Sequence, residues 1–124
     1  MKYLIVISRI LLGLTFLVFG SNAFLHFIPI PEMTGEPAAF MGALIHSGYI
    51  YPIAILEVLG GALLLIHARF VALGLTLLGP VIVNIVLYHI FLDGKGLPIA
   101  AIVALLSIFL LWVYRYKFPN LFEL

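Results

Sequence analysis

Three stretches of this chain, residues 10–31, 70–92 and 96–114, contain no Lys, Arg, Asp or Glu. Each is close to the ~20 residues an α-helix needs to cross the hydrocarbon of a bilayer. A fourth stretch, residues 49–67, is apolar apart from one acid, Glu57. Composition agrees: 65% of residues are hydrophobic, 9% are charged and mean hydropathy is +1.31, against about 45–50% apolar and about 25% charged in soluble domains. The pattern predicts an all-α integral membrane protein, a four-helix bundle. It forms a single domain over residues 1–124, with helices near 4–26, 50–67, 70–92 and 97–116.

The connections between these spans can be read from the residues. His67-Ala68-Arg69 is long enough only for a tight antiparallel turn, and Asp93-Gly94-Lys95-Gly96 followed by Pro98 carries the punctuation of a helix stop and restart. The longer connection opens with Pro29, Pro31, Glu32, Gly35 and Glu36. It then becomes apolar from Pro37 to His46, ahead of Ser47-Gly48. Proline at a helix start and glycine past its end predict a short helix near 37–46, too short to span and so interfacial or re-entrant. Lys2, Arg9, Arg69, Arg115 and Lys117 fall on one side of this layout and Lys95 alone on the other. By the positive-inside rule both termini are expected in the cytoplasm.

The first apolar run with Ser21-Asn22-Ala23 loosely fits a cleavable secretory signal. Two features favour a retained helix: Arg9 interrupts the start of the run, and Ser8, Thr15, Asn22 and His26 recur on one helical face.

Several function classes are excluded. A net charge of +1 with no basic run gives no footprint for nucleic acid. With no cysteine there are no disulfides, thiolate catalysis or Cys-ligated metal centres. No phosphate loop or nucleophile elbow occurs, and no zinc site is expected.

Glu57 is the sharpest functional signal, because an acid near the membrane centre costs about 2.5–3.5 kcal/mol on insertion scales. Two roles suit it: proton acceptor or partner of a ligand carbonyl on one side, a protonated carboxyl bonding a neighbouring helix on the other. At ~1.5 Å rise per residue, Asn84, Asn22 and His26 follow Glu57 towards the outer surface. Asn84 and Tyr88 share a face at i, i+4. The expectation is one outward-facing cavity lined by Glu57, Asn84, Asn22, His26 and Tyr88, with Glu57 as the candidate catalytic group. Taken singly, each asparagine reads as an interhelical hydrogen-bonding residue. Gly60 and Gly61 read as packing residues and Arg9 as a side chain reaching the headgroups. A bis-histidine haem on His26 and His89 is disfavoured, because His89 lies about 140° around its helix from Asn84, at the interface.

Three segments together carry a family resemblance: RILLGLTFLVFG at 9–20, LEVLGGALLL at 56–65, and GPVIVN at 79–84 followed by His89. In these the chain resembles the DoxX family of small bacterial membrane proteins, over nearly its whole length. The resemblance implies a four-helix protein of the bacterial inner membrane. Some relatives are described as subunits of quinone-linked oxidoreductases, including thiosulfate:quinone oxidoreductase and terminal quinol oxidase. Arg9, Glu57, Gly60, Gly61 and Asn84 match the family's characteristic places. The resulting expectation is a subunit that binds a quinone or similar apolar ligand between its helices, alongside an oxidoreductase partner. The alternatives are a non-catalytic anchor or assembly partner, and a small proton-coupled carrier.

Overall fold

A computed structural model describes residues 1–29 and 32–121; Ile30 and Pro31 of the long connection lie outside the described residues. The described residues form five α-helices: α1 (Lys2–Leu25), α2 (Gly35–Ser47), α3 (Ile50–Ile66), α4 (Val71–Phe91) and α5 (Leu97–Val113). Short 3-10 turns cover Ala68–Phe70, Gly94–Gly96 and Arg115–Asn120, and no strand occurs among the described residues. Among the described residues, three helical segments are long and apolar enough to cross a membrane: Lys2–Leu25, Ala68–Phe91 and Gly94–Val113. A fourth is possible if α2 and α3 count as one broken span, bent by 89°.

The turns follow from local chemistry. At the end of α3, His67 is extended and its Nδ1 accepts the Arg69 N–H at 3.1 Å, which opens the next turn. Before α5, Asp93 accepts the Lys95 N–H at 3.3 Å, and Pro98 occupies the first turn of the helix where no N–H is needed. Gly48 closes α2 in the left-handed conformation (φ 81°), which glycine adopts without steric cost. The short helix expected near 37–46 is thus present as a 13-residue element that meets α3 nearly at right angles. α5 stops at Val113, three residues before the expected end at 116, and a 3-10 turn containing Pro119 follows. Proline has no N–H to continue an α-helical ladder and disfavours helical geometry in the residue before it.

The four long helices pack in a ring of antiparallel neighbours: α1 along α3, α3 against α4, α4 against α5, and α5 back to α1. Leu12, Phe16, Leu64, Leu78 and Leu110 fill the centre, each at most 3% exposed. This core is uneven along the helix axes. The last buried residue of α1 is Gly20, five residues before the helix ends, and the last of α4 is Ile82, nine residues before its end. α2 reaches over the Phe91 end of α4, where the Phe40 ring lies 5.3 Å from that of Tyr88.

Candidate functional site

α3 buries Ala54, Gly60, Gly61 and Leu64, and at 100° per residue these define a single stripe. Glu57 stands at the middle of that stripe. Two glycine contacts fix its direction. A Cβ on Gly61 would come within 2.7 Å of the Gly13 carbonyl oxygen of α1, and one on Gly60 within 3.2 Å of the Gly74 carbonyl oxygen of α4. Glu57 lies between these two directions and therefore faces the interior of the ring. Gly20 of α1 makes room for it: a Cβ there would stand 2.9 Å from the Glu57 Cβ.

Despite this inward position Glu57 is only half-buried. Among the described residues nothing forms a hydrogen bond or ion pair with its carboxyl, and its oxygens are not sealed off. Beyond Glu57 burial thins: Ala54 of α3 and Ala100 of α5 stay buried there. Gly20 touches Glu57 on α1, and on α4 the helix loses its buried residues one turn beyond Leu78, the partner of Gly60. Towards the Ile66 end of α3 the interior is filled by leucine and Phe16; towards its Ile50 end α1 has no buried residue past Gly20 and α4 none past Ile82. An unpaired, half-buried carboxyl among apolar helices can exchange a proton or bond the polar head of a ligand.

The other residues expected to line a cavity with Glu57 lie elsewhere. Asn22 is two residues from Gly20, hence about 160° around α1 from the face that touches Glu57. Its amide is committed to the chain leaving α1: Oδ1 accepts the Ile28 N–H at 2.7 Å and Nδ2 donates to the Ile28 carbonyl at 3.2 Å. His26 closes α1 in the left-handed conformation (φ 53°) and is exposed. Asn84 is exposed on α4, about 120° around the helix from Leu78, and donates to the Pro80 carbonyl of its own helix at 2.8 Å. Tyr88 is half-buried near the Phe91 end of α4, where its hydroxyl donates to the Met33 sulfur at 3.7 Å. Glu57 thus stands without the four polar companions that depth counting gave it.

His89 pairs Nδ1 with the Ile85 carbonyl at 2.8 Å and packs against Gly96, so its ring is held by its own helix and the next turn. No group of three His, Asp or Glu residues able to hold a metal ion occurs among the described residues.

Arg9 does not simply reach for headgroups. Its Nε donates to the Leu64 carbonyl at 2.7 Å, joining α1 to the last turn of α3. That contact was absent from the sequence reading, though the signal for it exists. The last four carbonyls of a helix lack intrahelical partners and carry the negative end of its dipole, so a cation on a neighbouring helix at that depth has a target.

Against known proteins, no family model, no curated protein and no solved structure matches the chain.

Proposed function

We infer that this is a DoxX-like membrane protein of four spanning helices that holds an apolar ligand with a carbonyl head, of the quinone type, between its helices and against Glu57. The observation that supports it is the position of Glu57: central on the inward stripe of α3, unpaired, and at the level where the leucine core ends. Such a site is apolar with one well-placed polar group, as ligand sites generally are. α3 is 17 residues long and so spans about 25 Å, enough to cross with its ends at the interfaces. α2, which has no buried residue and exposes Phe40 and Ile45, lies along the outer interface.

The basic residues give the orientation. Lys2, Arg69, Arg115 and Lys117 gather at the end where α1 and α4 begin and α5 finishes, which makes that end cytoplasmic. There the Arg115 guanidinium lies 4.7 Å from the centre of the Trp112 ring and 4.3 Å from that of Tyr116, an aromatic and cationic belt suited to the headgroup layer. The membrane is the bacterial inner membrane, as in the family the chain resembles.

When protonated, Glu57 donates a hydrogen bond to a ligand carbonyl; when ionised, it accepts a proton from a ligand hydroxyl. A bound quinone would supply the electron-carrying chemistry, with an oxidoreductase partner as donor. The chain itself contributes the apolar walls and the proton-handling carboxyl. Purification in nanodiscs, solvent extraction and mass spectrometry test this. A stoichiometric quinone is expected with the wild type and lost from folded Glu57→Ala. Glu57→Gln should retain the ligand but lose proton-coupled turnover. A wild-type protein that carries no such molecule and co-purifies with a soluble oxidoreductase would replace this reading by that of a non-catalytic anchor.

A further inference from the structure

Asn84 is a polar residue facing the wrong way for a single bundle. It lies about 7 Å from the centre of the span Ala68–Phe91, inside the ~15 Å half-thickness of hydrocarbon, yet it is exposed. Its surroundings on that face are Pro80, Val83 and Leu87, all exposed and apolar. One amide N–H bonds the Pro80 carbonyl; the other N–H and Oδ1 have no partner among the described residues. Pro80 adds a second unsatisfied group nearby, because a proline has no N–H to offer the Thr76 carbonyl one turn below. Lipid tails offer nothing to either, and polar side chains inside a membrane are found facing protein.

We propose that this face of α4 is the contact between two copies of the chain, related by a twofold axis along the membrane normal, with Asn84 of each copy paired to Asn84 of the other. A carboxamide carries one donor and one acceptor side by side, so two of them form a reciprocal pair without any third group. All copies share one topology, so a twofold axis along the normal brings the two Asn84 residues to the same depth, as an isologous contact requires. The inference depends on the chain spanning a membrane, not on the ligand proposed for Glu57, which faces the opposite side of the α3–α4 pair.

Because the chain has no cysteine, a single Leu87→Cys, one turn from Asn84 on the same face, reports the contact by oxidative cross-linking of the full chain in bilayers. Ile102→Cys on exposed α5 is the control. A covalent dimer is expected from Leu87→Cys, not from Ile102→Cys, and the band should fall sharply when Asn84→Leu is added. In a dilution series in detergent, Asn84→Leu should weaken self-association by about tenfold, the effect of two interhelical hydrogen bonds of average strength. A monomeric wild type, or a dimer that Asn84→Leu leaves unchanged, overturns the proposal. Asn84→Gln, which keeps the amide, should retain most of the dimer; its failure to do so would count against a specific pair.

Discussion

The contact of α1 with α3 and the contact of α4 with α5 involve helices of similar hydrophobicity, yet they are built differently. Between α1 and α3, glycines let backbone approach backbone: Gly61 sits against the Gly13 carbonyl and the Leu17 amide, and Gly20 against the Ala54 carbonyl and Glu57. Between α4 and α5, a groove of about 300 Å³ remains, lined by Gly79, Ile82, Val86, Ala104 and Ser107 among others. α5 buries only Ala100, Ser107 and Leu110. In a bilayer, apolar side chains gain little by leaving lipid for another helix, so close fit decides which helices hold together. The glycine seam is therefore the rigid side of this molecule and α5 the loose one. Glu57 belongs to the rigid side.

The contrast is broken most directly at Gly61. A methyl group there would meet main-chain atoms of α1 at 2.7 and 2.8 Å, and backbone cannot swing aside as a side-chain tip can. Gly61→Ala should separate α1 from α3 and destabilise the protein by about 3 kcal/mol or more, the upper range of overpacking. Unfolding by sodium dodecyl sulfate in mixed micelles, followed by circular dichroism, measures it. A midpoint equal to the wild type would show that the seam is not tight.

How much of this was legible in the sequence depends on the physics involved. The helices were readable because charge-free runs and Gly, Pro and Asp punctuation act locally: the expected helix at 70–92 is found at 71–91, and that at 50–67 at 50–66. The packing glycines were readable as residue types. Their partners were not, because which helix lies beside which is set by packing across the ring. The same limit explains the candidate site. Depth along the membrane follows from counting residues, and it placed Glu57, Asn84 and Asn22 near one another. Azimuth depends on where neighbours sit. Asn22 turned to the chain leaving its own helix, and Asn84 turned outward.

A moderate effect is expected where α1 meets the end of α3. Replacing Arg9 by Met keeps most of the aliphatic stem and removes the bond from Nε to the Leu64 carbonyl. Hydrogen bonds involving a charged group contribute about 1.5–3 kcal/mol, and the half-buried position keeps this one from being fully screened by water. Arg9→Met should lower the unfolding free energy by about 1–2 kcal/mol, less than Gly61→Ala, and shift the midpoint accordingly. Arg9→Lys, with a shorter reach and no planar fork, should recover part of the loss. If Met and Arg behave alike, the arginine serves only the headgroups and the seam owes its strength to glycine alone.

The smallest effect, and the one that separates the two sides most sharply, belongs to Gly79. It is a helix-interior glycine like Gly61, yet nothing lies within 4 Å of where its Cβ would be, because it borders the α4–α5 groove. No neighbouring helix opposes a methyl there, but Pro80 follows directly and disfavours helical geometry for a residue that carries a Cβ. This offsets the backbone gain of alanine over glycine in a helix, about 0.5–1 kcal/mol. Gly79→Ala should therefore change stability by less than about 1 kcal/mol. The same chemical change would then be severe on one helix and slight on another helix of the same molecule. Trp112, the only tryptophan, lies on α5, so its fluorescence reports whether the added methyl also alters the loose flank. Destabilisation by Gly79→Ala comparable to that of Gly61→Ala would mean that α4 and α5 close more tightly than the groove allows. The division into a rigid seam and a loose flank would then be wrong.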